Sequence, residues 1–507
     1  MDAAKARPVV AIVGGGIGGL AAAFFLRDEP VDAVVLEGSS RLGGKLAVSE
    51  VAGAPVDEGA EALLVRRPEG TDLIRAVGLQ AGLVAPGTTA ARIWSRGQMS
   101  QLPRRHVMGV PADLAELARS GLLSPDGLAR ARLEPDLPAT TRDGDVSVAG
   151  YVGSRFGPEL VDRLVDPLLG GVYAGKSEDL SFEATLPALA AASRSHSSLA
   201  AAAGSLVPPA PTGSGQPGSG PPRPPVFTTL AGGLGTLPAA VAAASGATVE
   251  MRAMVRELRQ TPGGWELTIG SARAPRTLDA DAVILAVPGR PASRLLAGVP
   301  DAALARIALA EIPYASMAIV TFAYPASAFG VLPETSGYLV PAVDGRAVKA
   351  VTFSSVKWPH LRADAPGLVF VRCSVGRIGE ERVLHHDDRD LAALAARDLA
   401  DATGVRGRPA DVRVSRWGGA LPQYTVGHLD RVARIRASLA AVPGLAACGA
   451  AFDGVGIPAC IASARAAADQ VLAAMHPVAS TGGARWGAGS IRPAGVPAAG
   501  THGDGGQ

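Results

Sequence analysis

The chain opens with an unbroken apolar run at residues 9–13, followed by a turn made mostly of glycine and then by a second apolar stretch at residues 20–26. A short apolar run that ends in glycines predicts a buried strand, and the longer stretch behind them predicts a helix. A third apolar run, residues 33–36, leads directly into Glu37. Strand, turn, helix, strand and acid follow one another in the order of a nucleotide-binding βαβ unit.

The turn between the first strand and the helix has glycines at positions 14, 16 and 19. In this spacing the first glycine permits the turn, the second lets the backbone approach a pyrophosphate, and the third lets the helix pack on the strand. The N-terminus of the helix offers unpaired N–H groups to phosphate oxygens, and an acid about twenty residues further on meets a ribose hydroxyl. Since a glycine-rich surface loop would not keep this register, the sequence predicts a dinucleotide site.

Two further glycine-rich regions accompany this unit. Residues 37–46 (EGSSRLGGKL) place a second glycine pair just after the acid, and residues 56–61 (VDEGAE) follow. Near the other end, residues 445–458 predict a strand and a glycine loop ahead of a helix at 459–475, which again suits the close approach of a ligand. Either region alone could be an ordinary turn. Together they predict that both ends of the chain meet on one cofactor, with the substrate region inserted between them.

The pattern along the middle of the chain changes several times. Helical periodicity predominates from about residue 72 to 199, and strand-like alternation returns from residue 248. Residues 204–225 are dense in Pro, Gly and Ser, lack the apolar content to fold and predict a flexible loop. The Gly-, Ala- and Ser-rich residues 477–507 show no periodic core pattern, so we expect a disordered tail there.

Composition matters only where it excludes a class of protein. A chain of 507 residues exceeds the size at which one hydrophobic core keeps growing, so two or more domains are expected. The charges are nearly balanced, with Lys+Arg 48 and Asp+Glu 46, and this balance gives no sign of a nucleic-acid partner. The three cysteines form no CxxC pair, and the first strand leaves no room for a signal peptide. With no uncharged apolar run of about 18 residues, we expect a cytoplasmic protein without a transmembrane span, and peripheral membrane contact stays open.

The second glycine loop resembles the E-x-x-x-R-x-G-G pattern of large flavoproteins, which favours FAD over NAD as the dinucleotide. More specific likeness lies in the separated runs PLLGGVYAG at 167–175, LAGGLGTLP at 230–238, LPQYTVGH at 421–428 and GVGIPACI at 454–461. With them, the chain resembles the flavin-dependent coproporphyrinogen III and protoporphyrinogen oxidases of haem biosynthesis, within the amine-oxidase-like flavoprotein superfamily. The likeness covers most of residues 8–475.

The resemblance implies an α/β fold in which a Rossmann-like FAD-binding domain is assembled from N-terminal, middle and C-terminal segments. An inserted mixed-sheet substrate domain and a helical subdomain complete the molecule. The expected boundaries are 1–70, 226–310 and 430–476 for the FAD-binding domain, 71–203 for the largely helical subdomain, 204–225 for the flexible loop, 311–429 for the substrate-binding domain and 477–507 for the disordered tail.

The same resemblance implies a role for each matching residue. The fingerprint glycines would hold the pyrophosphate and Glu37 the adenosine ribose. The backbone at Val255 would meet the adenine, and Trp417 would sit near the flavin. The second glycine loop and the segment after it would line the path from phosphate to isoalloxazine, and the C-terminal loop would approach the ring. The predicted cofactor-binding residues are Gly14, Gly15, Gly16, Ile17, Gly18, Gly19, Glu37, Gly38, Arg41, Gly43, Gly44, Lys45, Glu58, Gly59, Ala60, Glu61, Val255, Trp417, Gly449, Val455, Gly456, Ile457 and Pro458.

The substrate implied by the resemblance is a porphyrinogen, whose oxidation removes hydride from carbon and needs a two-electron acceptor that oxygen can regenerate. Three hydride transfers to flavin, each followed by tautomerisation, would convert coproporphyrinogen III to coproporphyrin III with release of peroxide. The methylene bridge must be held against flavin N5, and neither a protein nucleophile nor a metal site is predicted. Glu61 resembles the Gram-positive type of these enzymes and points to coproporphyrinogen, while protoporphyrinogen IX stays open as the substrate.

Four propionates on such a substrate predict cations at the rim of the pocket. Arg66, Arg67, Lys176, Lys349 and Lys357 are the candidate partners, with solvated surface charge as the alternative. Arg67, close behind the segment 56–61, and Lys349 are chosen among them. Tyr338 is predicted to pack on the macrocycle, with aromatic core packing as the alternative. Two other functions stay open: an FAD-dependent oxidase of the same fold that acts on amines or polyenes, and a binding protein that kept the scaffold and lost catalysis. A transient hand-off of product to the next haem-pathway enzyme also stays open.

Overall fold

The computed structural model describes residues 7–140, 142–208 and 225–475. The β-strands of these residues, numbered β1 to β22 in chain order, are Val9–Val13, Asp32–Glu37, Val48–Val51, Ala54–Asp57, Leu63–Leu64, Leu83–Val84, Ala91–Ser95, Gln98–Gln101, His106–Val107, Val110–Pro111, Phe227–Leu230, Thr248–Met251, Val255–Thr261, Gly264–Ser271, Ala274–Ala280, Ala282–Leu285, Tyr314–Pro325, Gly337–Leu339, Val348–Phe353, Leu368–Val375, Asp411–Pro422 and Leu445–Ala447.

The α-helices, numbered α1 to α18 in the same way, are Ile17–Leu26, Pro68–Ala76, Leu114–Ser120, Pro125–Arg132, Val148–Phe156, Pro158–Leu160, Asp166–Tyr173, Phe182–Thr185, Pro187–Ala192, Leu199–Leu206, Leu237–Ser245, Gly289–Leu295, Ala303–Ala310, Ser354–Lys357, Pro359–Asp364, Asp388–Thr403, His428–Ala440 and Ile457–Met475. A π-helical turn, Val161–Val165, joins α6 to α7. No helix in the described part of the chain is long and apolar enough to cross a membrane.

A five-stranded parallel sheet in the order β12-β2-β1-β16-β22 forms the first layer of the fold. Its central strand β1 places Ile12 beside both Val35 of β2 and Ile284 of β16. These strands are continuously apolar because helices cover both faces of a parallel sheet, with α1, α11 and α18 on one face and α12, α13 and α17 on the other. Since the strands come from the N-terminal, middle and C-terminal parts of the chain, the predicted α/β fold is confirmed.

A second, mixed sheet has seven strands in the order β21-β17-β20-β19-β18-β7-β8. β18 and β7 run parallel, whereas the other neighbours run antiparallel. Strands β7 and β8 belong to the segment 71–203, and the prediction of a largely helical segment does not hold for them. They extend the edge of the sheet, where Trp94 packs edge-on against Tyr338 at a ring distance of 6.4 Å.

Helices α3 to α10 surround a separate apolar core that includes Phe156 and Leu164. Within it, the buried Arg155 and Glu134 pair at 2.7 Å, and Glu134 also accepts the N–H of Leu199 at the start of α10. Helix α10 extends to residue 206, so the first residues of the predicted flexible loop are helical. Residues 209–224 of that loop, and the predicted tail, lie outside the described residues.

Candidate cofactor and active site

The turn after β1 and the first turn of α1 each contain a position where only glycine fits. Gly14 has a φ of +113°, which favours glycine, and a Cβ at Gly19 would overlap the carbonyl oxygen of Gly14. Gly16 precedes α1 without a side-chain cap, and a Cβ there would meet nothing within 4 Å. The N-terminus of α1 therefore faces open space, where its free N–H groups and helix dipole suit a phosphate.

Glu37, at the end of β2, is held at the same turn. Its Oε2 accepts a hydrogen bond from the N–H of Gly15 at 2.7 Å, and its Oε1 accepts one from the N–H two residues further on, also at 2.7 Å. A carboxylate with two donors keeps lone pairs for a ribose hydroxyl. The side chain of Met254, the residue before Val255, lies against Gly38. The residues predicted to meet the adenosine half of the cofactor therefore lie together.

The second glycine loop lies directly against the first. Gly43 donates its N–H to a carbonyl oxygen of the first turn at 2.8 Å, and Gly44 packs next to Gly16. The guanidinium of Arg41 folds back on its own loop, where it donates to Gly44 O at 2.7 Å and lies 5.7 Å from the ring centre of Trp417. Both glycine loops therefore border the same open space, and Arg41 stiffens the second of them.

The C-terminal glycine loop approaches this space from the other end of the chain. Gly449, with a φ of +123°, lies beside Gly18 of α1, and a Cβ at Gly449 would meet nothing within 4 Å. Helix α18 begins soon after, at Ile457, and its Pro458 lies beside Gly70 in α2. The structure therefore brings the two ends of the chain together, as the sequence predicts.

The segment that starts at Glu58 is packed between the second glycine loop and the mixed sheet. Glu58 accepts from Arg413 of β21 at 2.9 Å, and its carbonyl oxygen accepts the indole N–H of Trp417 at 3.0 Å. A Cβ at Gly59 would overlap the carbonyl oxygen of Lys45 and press on the ring of Trp417. Burial lowers the pKa of Lys45. Gly59 therefore lies in close contact with both the backbone of Lys45 and the indole of Trp417.

The other end of this segment is fixed by a buried group of charges. Lys357 donates to Oε1 of Glu61 at 2.7 Å, and Arg372 of β20 bonds Oε2. Arg372 also donates to the carbonyl oxygen of Gly59 at 2.6 Å. Burial opposes the charge on Glu61, but the two cations outweigh it and lower its pKa to about 2. Glu61 is therefore ionised, and its partners hold the backbone of the segment in place.

The two mid-chain runs with the most specific likeness contact each other. Gln423 is buried and donates to the carbonyl oxygen of Tyr173 at 2.7 Å, which joins LPQYTVGH to GGVYAG. The hydroxyl of Tyr424 donates to Ala450 O at 2.7 Å and accepts the N–H of Gly454 at 2.8 Å. These runs therefore hold the C-terminal glycine loop in its position ahead of α18.

The predicted substrate-binding residues are placed unequally. Arg67 precedes α2, pairs with Glu69 at 2.8 Å and keeps 38% of its side chain exposed. Lys349 is buried and donates to Gly170 O at 3.2 Å, and burial lowers its pKa to about 7. Tyr338 is buried between two aromatic side chains. Lys349 and Tyr338 offer almost no surface to a ligand, so core packing describes them better than substrate contact.

Sequence reasoning missed the roles of Arg372, Gln423 and Tyr424. Arg372 stands alone inside the apolar strand LVFVRCSV, and a single charge in such a run signals a buried partner. Gln423 and Tyr424 lie in a run that the resemblance singles out, but nothing in the run shows which distant carbonyl each would bond.

An extended dinucleotide fits these residues. The glycine faces at Gly16 and Gly449 are open, the N-terminus of α1 can receive phosphate, and Glu37 closes the ribose end. Fold and site together define an FAD-binding oxidoreductase. Residues 17–472 match the family of flavin containing amine oxidoreductases, and the chain belongs to this family. The prediction of FAD as the cofactor is thereby confirmed.

Named relatives cover almost the whole chain. The chain is 38% identical over 469 residues to a coproporphyrinogen III oxidase of Mycobacterium tuberculosis, across 92% of this chain and 97% of that protein. It is 32% identical over 471 residues to a coproporphyrinogen III oxidase of Bacillus subtilis, across 91% and 97%. The resemblance stated from the sequence motifs is therefore confirmed.

Solved structures share the fold. A crystal structure from Exiguobacterium sp. 255-15, provisionally assigned as a protoporphyrinogen oxidase, matches with a TM-score of 0.79 at 30% identity, across 92% of this chain and 98% of that one. A cyclohexylamine oxidase of Brevibacterium oxydans matches with a TM-score of 0.66 at 16% identity, across 93% and 99%. At that identity the second match reports the fold alone.

Proposed function

We propose that this chain oxidises coproporphyrinogen III to coproporphyrin III in haem biosynthesis, with oxygen as the electron acceptor and peroxide as the second product. The observation that carries the proposal is the junction of GGVYAG and LPQYTVGH at Gln423, from which Tyr424 bonds the C-terminal glycine loop. The runs that resemble porphyrinogen oxidases therefore support the cofactor side of the site. Relatives named coproporphyrinogen III oxidase, aligned over 92% of the chain, support the choice of substrate.

The glycines and charged side chains of the site would bind the FAD. The open faces at Gly16 and Gly449 would let the backbone lie against the cofactor, and the N–H groups at the N-terminus of α1 would donate hydrogen bonds to its pyrophosphate. Glu37 would accept a hydrogen bond from a ribose hydroxyl, and Gly59 lies against the ring of Trp417 at the other end of the site. Bound FAD would supply the two-electron acceptor that hydride removal from carbon requires, with oxygen as the final electron acceptor. Each oxidation also releases one pyrrole N–H proton, which leaves to solvent without a protein base.

The substrate's propionates need cations that are not already buried. Arg67 meets this condition, because it is partly exposed directly before α2, the helix whose Gly70 lies beside Pro458 of α18. A guanidinium can bond a carboxylate with two parallel N–H donors. Arg67 is therefore the proposed partner of one propionate. Lys349 and Tyr338 are not proposed as contacts, since both are buried.

The direct test uses the purified protein with its bound flavin. A flavin absorption spectrum is expected, and coproporphyrinogen III supplied in air should yield porphyrin fluorescence with about three peroxides per porphyrin, one for each two-electron step. Protoporphyrinogen IX, assayed side by side, decides between the two substrates. Absence of a flavin spectrum would contradict the cofactor site. Flavin without porphyrin formation would instead favour an oxidase of amines or polyenes.

The ribose role of Glu37 has its own test. Glu37→Ala should weaken FAD binding about 10- to 100-fold, since a lost hydrogen bond to a charged group costs about 1.5–3 kcal/mol. Glu50→Ala is the matched control, because it removes an exposed acid from β3, the next strand along the chain. FAD affinity is measured by fluorescence quenching. Equal affinities for the two variants would remove Glu37 from the site.

We further infer a cytoplasmic location and transfer of the porphyrin product to the next enzyme of haem biosynthesis. The buried, unpaired cysteines support a reducing compartment. Fractionation of cells that express the protein should recover it in the cytoplasmic fraction. Recovery with membranes would favour peripheral membrane contact instead.

A further inference from the structure

Three largely buried charges lie at the end of the segment 58–61, here called the flavin loop, and directly behind it. This group, here the Glu61 cluster, consists of Glu61, Lys357 and Arg372, whose side chains are 14%, 19% and 7% exposed. The two cations bond different oxygens of the same carboxylate. Charges at this depth are screened weakly by salt, so they act on their surroundings more strongly than surface pairs.

The Glu61 cluster is tied to rigid elements on each side. Arg372 lies in β20, an inner strand of the mixed sheet. Lys357 ends α14, and its ammonium group is 5.0 Å from the ring centre of Trp358 and 6.0 Å from that of Phe227. Of the two cations in the cluster, Arg372 is the one that also bonds the loop backbone, at Gly59 O and a distance of 2.6 Å. One member of the cluster therefore combines a charge with a direct positioning contact.

We propose that the Glu61 cluster positions the backbone of Gly59 and Ala60 against the flavin and sets the reduction potential of the flavin. The proposal rests on the cofactor placement proposed above. Reduced flavin carries more negative charge than oxidised flavin, and nearby protein charges tune the electronics of such a cofactor. Removing a nearby negative charge therefore favours the reduced form, and removing a positive charge favours the oxidised form.

Two substitutions separate the effect of charge from damage to the fold. Glu61→Gln keeps the shape of the side chain and removes a negative charge, so the midpoint potential should rise. Arg372→Gln removes a positive charge, so the potential should fall. Both variants disturb the contact between Glu61 and Arg372, and damage to the fold gives no reason for potential shifts of opposite sign. Lys357→Gln should also lower the potential and replaces Arg372→Gln as the test if that variant does not fold.

A third substitution separates positioning from charge. Arg372→Lys keeps the positive charge but cannot both bond Glu61 and reach Gly59 O, because an ammonium group is a compact donor on a different stem. Its midpoint potential should stay near that of the parent protein, while its FAD dissociation constant rises at least tenfold. A potential that shifts as far as in Arg372→Gln would overturn the role of charge, and an unchanged FAD affinity would overturn the role of positioning.

The measurement is a dye-equilibrated reductive titration of each purified, FAD-loaded variant, followed at the flavin absorption band. Burial raises the pKa of the nearby Asp57 to about 6, so titration at about pH 8 keeps that carboxylate ionised. Glu266→Gln is the control, since it makes the same charge change at the surface pair with Arg259. Potentials that rise in Glu61→Gln, fall in Arg372→Gln and stay constant in Glu266→Gln support the proposal. Equal or same-direction shifts in the first two overturn it.

The two proposals fail in different ways. If the parent protein holds FAD and forms porphyrin while the variants keep its potential and its FAD affinity, the Glu61 cluster has no such role and the proposed function stands. If the parent protein binds FAD but forms no porphyrin, the substrate assignment fails while the potentials still test the cluster.

Discussion

Tyr424→Phe is the substitution that most directly tests how the mid-chain runs support the cofactor. The hydroxyl of Tyr424 bridges Ala450 O and the N–H of Gly454, so its removal leaves two backbone groups without their partner. Each unmet buried group costs about 1–3 kcal/mol. We expect a loss of roughly 2–4 kcal/mol in stability, since relaxation and water recover part of the sum.

Part of this cost should appear in FAD affinity. In the variant, FAD binding must also order the loop that Tyr424 no longer holds. A free-energy cost of about 2 kcal/mol for this ordering raises the dissociation constant of FAD roughly 30-fold. FAD titration by fluorescence quenching and thermal unfolding of the apoprotein measure the two parts separately. Tyr173→Phe is the matched control, because it removes a hydroxyl from the neighbouring ring, 5.6 Å away, and leaves both loop bonds intact. Unchanged FAD affinity and unchanged stability in Tyr424→Phe would refute the reasoning.

Further predictions concern two glycines, Glu61 and a small cavity. Gly19→Ala should lower stability by about 1–3 kcal/mol, because the added Cβ overlaps the carbonyl oxygen of Gly14, and it should abolish tight FAD binding. Gly204→Ala, at an open position of α10, should instead stabilise the protein by roughly 0.4–1 kcal/mol. Denaturant titration measures both changes. The pKa of Glu61 falls from 4.5 to about 2 on folding, so its stabilisation, about 3 kcal/mol, is complete above pH 4.5 and lost as the pH falls toward 2. The free energy of unfolding of Glu61→Gln, measured as a function of pH, should lack that loss. Identical pH profiles for the variant and the parent protein would contradict the prediction. Ser354 and Trp358, each with a buried side-chain polar atom unpartnered among the described residues, line a cavity of about 20 Å³ that should hold ordered water; a high-resolution map showing it dry would contradict this.

The cofactor half of the site could be predicted from the sequence because its requirements are local. A glycine at position 19 is needed where a helix crosses a strand a few residues away, and Glu37 ends the very next strand. The register of such a unit is fixed within about thirty residues. The same argument found the C-terminal glycine loop, since a strand, glycines and a helix again follow one another.

The rest could not be predicted because its partners are distant in the chain. Arg372 meets Glu61 across 311 positions and Gln423 meets Tyr173 across 250, and no spacing rule links residues so far apart. The burial of Lys349 and Tyr338 could not be predicted for a related reason. Lys349 and Tyr338 have the chemistry to bind a propionate or a macrocycle, but strand alternation alone does not show that both side chains point into packed protein.

The mid-chain runs that carry the most specific resemblance act on the structure through buried side chains. Gln423 and Tyr424 are buried, and their side chains form hydrogen bonds to the backbone of Tyr173 and of the C-terminal loop. The flavin loop is held in a similar way by side chains of the mixed sheet, through Trp417 and Arg372. The part of the chain that would receive the substrate therefore also sets the backbone that would face the flavin. Substitutions that retune substrate preference in this sheet should alter flavin properties as well, because the same strands carry both contacts.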